Sequence, residues 1–172
     1  NLNVSHQVEA DWLAEAIRFG FNDGLRLRVQ NALTSLAENA FVVICTCSML
    51  GELTTSLNNP RVFRVDQPMM DLAAARPEPV YLAYCLQSTR LSSSTLLQSA
   101  FHKSGRTESF QMIDCGRSWP LFVKGETAAF GESIAQQVAA AVATKNNTKN
   151  GATVVLAQAS MAAAQTYLQP VA

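Results

Sequence analysis

Charge is scarce in this chain. Only 15% of its 172 residues are charged, and thirteen basic side chains balance thirteen acidic ones. So sparse and even a distribution offers nothing for a phosphate backbone or an anionic membrane surface to hold, so neither nucleic acid nor a membrane is expected as a partner. No apolar run approaches the roughly eighteen residues that a membrane-spanning helix needs. The first residues show neither the basic nor the apolar part of a secretion signal, which points to the cytoplasm. Histidine is nearly absent too, with only His6 and His102. Cys45 and Cys47 are separated by one residue, and not by the two of redox and zinc motifs. No metal site and no cofactor are therefore expected. A bridge between these two cysteines would close a strained short loop, so a redox protein ranks last among the readings.

What the chain has is apolar substance. Hydrophobic residues make up 48% of it, enough for a substantial core in one large or two small domains. Cys45, Cys47, Cys85 and Cys115 each lie in or beside an apolar stretch, as buried reduced thiols do. Asn3-Val4-Ser5 and Asn146-Asn147-Thr148 fit the glycosylation pattern, which is too short to carry an argument.

The periodicity predicts alternating helices and strands. Residues 1–8 alternate apolar and polar side chains like a short strand. Trp12, Leu13, Ala16 and Ile17 share a helical face that Gly20 ends, and Asn22 caps a second helix carrying Leu25, Val29, Ala32, Leu33 and Leu36. After a central strand come a helix over 49–57, a break at Asn58-Asn59-Pro60, a strand over 61–65, and a helix with Pro68 in its first turn. The prolines of Arg76-Pro77-Glu78-Pro79 resist both helix and strand, so the domain junction is placed there, giving domains 1–77 and 78–172.

The second half reads as a buried strand over 80–86, a polar turn over 87–90, and a helix over 95–103 that the serines 92–94 could cap. Next come a strand over 109–113 and a loop over 115–124 of the length that often covers a site. Gly125 opens a long helix with Phe130, Ile134, Val138 and Val142 on one face. A polar tract over 145–150 leads to a strand over 152–156 and a last helix over 161–168.

Residues 41–52 organise this pattern. Phe41-Val42-Val43-Ile44-Cys45 is an unbroken apolar run, as in a parallel strand buried on both faces, and it feeds a helix through Thr46-Cys47-Ser48. Ligands of open α/β sheets bind at such strand ends, where the helix that follows presents unpaired N–H groups. A thiol placed there would be acidified and reactive. Val42 to Met49 also resembles Val154 to Met161: a strand, a Ser-Met pair and a helix recur 112 residues further on, consistent with two similar halves that bury a cleft.

These motifs resemble those of the aspartate/glutamate racemase superfamily. Val43-Ile44-Cys45-Thr46-Cys47-Ser48 is similar to its first motif. Thr46-Cys47-Ser48-Met49-Leu50-Gly51-Glu52 and Leu156-Ala157-Gln158-Ala159-Ser160-Met161 together resemble a less characterised branch, as do Val62 to Asp66 and Pro68-Met69. The resemblance spans nearly the whole chain. It implies two pseudo-symmetric flavodoxin-like α/β halves with mainly parallel sheets, and cofactor-free proton transfer at the carbon next to a carboxylate, by one cysteine from each half. It also suggests a homodimer. Cys47 matches the first cysteine, whereas Gln158 stands where the second would be. An amide neither takes nor gives a proton near neutral pH, so two-cysteine racemisation is not expected and one-sided chemistry by a single thiol is. Relative to the family, the first half lacks its initial strand, and the chain stops where a closing strand would follow Pro170.

The expected site is therefore Cys47 as acid/base or nucleophile, with Thr46, Ser48, Ser88, Thr89, Gln158 and Ser160 binding a small carboxylate substrate, an amino acid or a dicarboxylic acid. The activity expected is of isomerase or lyase type. The alternative is a non-catalytic protein that binds a small carboxylate in the same cleft. Cys45 is assigned to the core, and His6 and His102 to the surface.

Overall fold

The computed structural model describes residues 3–107, 109–145 and 151–168. The chain is an α/β protein whose strands pair in parallel. It forms two compact units that divide between Val65 and Asp66.

In the first unit, residues 3–9 carry no regular structure. The alternation there suggested a strand, but the segment is exposed and nothing pairs with it, so alternation alone does not order it. Helix α1 (Ala10–Phe19) ends at Gly20, whose φ of +72° is the left-handed conformation glycine adopts without strain. Helix α2 (Asp23–Asn39) is capped by the Asn22 side chain, which accepts the Leu25 N–H at 2.8 Å. Its buried stripe of Leu25, Val29, Leu33 and Ala37 packs with Val43, Leu50, Leu53 and Val62. Strand β1 (Val43–Cys45) pairs in parallel with β2 (Val62–Arg64), and a 3-10 helix, Leu50–Leu57, joins them.

This sheet is covered on one face only, which corrects the expectation of a strand buried on both. Val43 and Val62 are inside, but their neighbours Ile44 and Phe63 are 54% and 48% exposed. Val42 and Val65 extend the same bare strip. Hydrophobicity reported that a strand was present but not how many layers pack on it.

The second unit is a three-stranded parallel sheet in the order β4-β3-β5, formed by β3 (Val80–Tyr84), β4 (Gln111–Asp114) and β5 (Thr153–Leu156). All five residues of β3 are buried, as the central strand of a sheet covered on both sides must be. One face packs on α3 (Gln67–Ala74) and α4 (Gln87–Lys103) through Met70, Leu97 and Phe101. The other packs on α6 (Thr127–Lys145) and the 3-10 helix Ala159–Thr166. Phe130, Ile134, Val138 and Val142 form the buried stripe of α6 that the spacing predicts. A side-chain carbon at Gly131 would lie 2.6 Å from the Ala163 carbonyl oxygen, so glycine is what lets these two helices touch.

Helix α3, assigned by the proline criterion to the first half, packs on α4 in the second unit. The prolines at 77 and 79 mark a turn between α3 and β3. Residues 115–124 are not an open loop. They form a short 3-10 turn, Gly116–Ser118, and helix α5 (Trp119–Val123), in which Trp119 stacks on Phe122 at 4.8 Å and meets Phe130 edge-on at 6.3 Å. Aromatic packing removes the freedom a cover would need. The two related motifs both fold as a parallel strand followed by a 3-10 helix. The polar tract over 146–150 and the segment around Pro170 lie outside the described residues, and among those described no helix is long and apolar enough to cross a membrane.

Candidate functional site

The first unit holds Thr46, Cys47 and Ser48 in the turn between β1 and its 3-10 helix. The Gly51 N–H donates to the Cys47 carbonyl at 2.7 Å, and the Leu50 N–H donates to the Cys47 sulfur at 3.5 Å. The Ser48 carbonyl accepts from the guanidinium of Arg64 at 3.1 Å, and Arg64 is itself buried. Gly51 makes this possible, because a side-chain carbon there would lie 3.1 Å from Arg64 Cβ. Thr46 is exposed, while Cys47 and Ser48 are half-buried.

Cys47 is among the residues lining a cavity of about 390 Å³, within the usual range for small-molecule sites. Residues 42 through 47 line one side of it, and the extended segment Ser5–Ala10, Trp12 and Leu13 of α1, and Val29, Leu33 and Leu36 of α2 line the rest. Its titratable side chains are Cys45, Cys47, His6 and Glu9. Cys45 packs against the core but, like Cys47, is half-buried and lines the cavity, and its thiol approaches the Cys47 carbonyl at 3.7 Å. His6 was read as a surface residue. It is exposed, yet it stands on the wall of this cavity, and no local pattern in an unstructured segment announces that.

The remaining candidates lie in the second unit, at the carboxyl ends of its strands. Ser88 and Thr89 are in the first turn of α4, and Ser160 is in the first turn of the last 3-10 helix. Gln158 is a fastening. Its Oε1 accepts the N–H groups of Cys85 at 2.7 Å and Leu86 at 3.1 Å, tying the end of β5 to the end of β3. The bonded N–H groups lie just ahead of α4, which starts at Gln87 and so runs through the serines 92–94. Ser92 and Ser93 are buried in mid-helix. The oxygen expected to meet substrate is engaged by two backbone donors of its own chain.

Around this fastening sits a polar cluster. Asp114 accepts from the Gly116 N–H at 2.8 Å, the Tyr84 hydroxyl at 3.2 Å and the Gln87 amide at 3.1 Å. Burial first, and then the Asp114 charge, raise the Tyr84 phenol above its ordinary value. The thiols beside it are shut away. Cys85 donates to the Cys115 carbonyl at 3.5 Å. Burial, aided by Cys115 and Asp114, pushes the Cys85 thiol up to about 12, and burial with Asp114 pushes Cys115 up to about 11. Neither is a nucleophile at neutral pH. Among the described residues no cluster of three or more metal-binding side chains occurs.

No protein-family model matches the chain, and no curated protein or solved structure matches it significantly.

Two outcomes follow from the second unit. Gln158→Leu strands two backbone donors and should cost roughly 1–3 kcal/mol in urea denaturation followed by tryptophan fluorescence, whereas Gln158→Glu keeps an acceptor and should cost clearly less. The thiols set a pH window. They would ionise near their ordinary value of 9 in the unfolded chain but near 11 to 12 in the folded one, so their contribution is complete below pH 9 and is lost as the pH rises through 11 to 12. The alkaline decline in urea midpoint should be shallower in a Cys85→Ala, Cys115→Ala double variant. An equal decline would show that these thiols do not govern it.

Proposed function

We propose that the chain is a cofactor-independent enzyme of racemase type, an isomerase or lyase. In this reading it acts at the carbon next to the carboxylate of a small acid, with Cys47 as acid/base or nucleophile. The observation that carries the reading is that Cys47, its sulfur engaged by the Leu50 N–H, lines a cavity of ligand size at the carboxyl end of a parallel strand. The resemblance of the Thr46-Cys47-Ser48 and Gln158-Ala159-Ser160 motifs to the aspartate/glutamate racemase superfamily supports it.

The chemistry suits a single thiol. In an isomerisation the Cys47 thiolate takes the proton from the carbon next to the carboxylate, and the C–H bond breaks with its electron pair left on that carbon, spread into the carboxylate. The Cys47 S–H, whose proton exchanges with water, then returns a proton to that carbon or to an atom conjugated with it.

A second reading, a small-carboxylate-binding protein without turnover, is favoured by Gln158, which has no proton to exchange and whose carbonyl is committed to Cys85 and Leu86. Proton NMR in deuterated water separates the two. With aspartate, glutamate, phenylglycine and mandelate as probes, the enzyme reading predicts loss of the C2 proton signal from at least one, slowed on the order of 100-fold or more in Cys47→Ala. Binding of an acid without exchange would decide for the second reading, and exchange that survives Cys47→Ala would remove Cys47 from the chemistry.

A further inference from the structure

The lining of the cavity narrows the acid it takes. We infer that the site prefers a monocarboxylate bearing an apolar group about the size of an aromatic ring over a dicarboxylate, an inference that rests on the carboxylate reading above. Its walls carry Trp12, Leu13, Val29, Leu33, Leu36 and Leu50, and neither lysine nor arginine is among the lining residues.

A donor for one carboxylate is nevertheless present. The Val43 N–H and the Cys45 carbonyl both point at β2, bonding Arg61 and Val65 at 2.8 and 3.0 Å. Peptide groups alternate sides along a strand, so the Ile44 N–H points away from β2, and Ile44, Thr46 and Cys47 all line the cavity. A carboxylate oxygen that accepts from the Ile44 N–H lies within three residues of Cys47 along the chain, on the same cavity lining. Apart from His6, the described lining offers a second carboxylate no side chain able to carry positive charge; elsewhere it would lie against aliphatic and indole surface, and Glu9, on the same segment as His6, would repel it. An apolar substituent instead buries surface against those side chains, at about 25 cal/mol per Å². The volume, about 390 Å³, leaves room for such a group beyond the carboxylate.

Alkylation of the wild-type protein by iodoacetamide, with peptide mass spectrometry at Cys47, tests this with phenylacetate and succinate as protectants. Phenylacetate at about ten times its dissociation constant should slow modification of Cys47 by about tenfold, and succinate at the same concentration by less than about twofold. Phenylacetate should also shift the emission of Trp12, read in Trp119→Phe, which leaves Trp12 the one tryptophan of the chain. Succinate protecting as well as phenylacetate, or better, would overturn the preference while leaving the proposed function standing. Protection by neither acid would overturn the carboxylate reading itself, and this inference with it.

Discussion

The functional account depends on a hydrogen bond 2.7 Å long, from the Gly51 N–H to the Cys47 carbonyl. It closes the turn by which the chain leaves β1, and with the turn closed, the Leu50 N–H falls on the Cys47 sulfur at 3.5 Å. Arg64 secures the same turn from β2 through the Ser48 carbonyl, and it fits because residue 51 has no side chain. Three hydrogen bonds, one of them between backbone groups, thus hold the turn that carries Cys47 at the end of a strand. Such preorganisation is what acid/base or nucleophilic use of a thiol requires.

The same device, a polar group at the junction of strand and helix, serves a different end in the second unit. There the Gln158 amide accepts the Cys85 and Leu86 N–H groups, and the neighbouring thiols of Cys85 and Cys115 are buried and stay protonated at neutral pH. One unit holds its strand-end thiol beside a cavity, while the other fills its strand end with a side chain from its own sheet. Two motifs that look alike in sequence thus end in different surroundings.

Much of this was legible in the residues. The buried stripe of α6, the Asn22 cap of α2, the breaks at Gly20 and Asn58, and the strand–turn–helix around Cys47 follow from periodicity and local capping chemistry. What stayed hidden depends on contacts between residues distant in sequence. Helix α4 starts at Gln87, well ahead of the serines 92–94, next to a backbone held by Gln158 from 72 residues away. The packing of α3 with α4 overrode the proline pair as a boundary, because prolines report backbone stiffness and not which core a helix joins. The bare face of the first sheet was invisible, since Ile44 and Phe63 look the same whether or not another layer covers them. Trp12 and His6 reached the cavity wall through the course of α1 and the segment before it, which no spacing encodes.

The central claim is that Cys47 and its neighbour Cys45 stand at a cavity while Cys85 and Cys115 are shut away, with Cys47 the thiol used for chemistry, and cysteine-by-cysteine labelling of the native protein with limiting electrophile addresses it most directly. Mass spectrometry should find Cys47 modified first, with Cys85 and Cys115 untouched until urea unfolds the second unit. Native protein in which Cys47 resists modification as firmly as Cys115 would contradict the account.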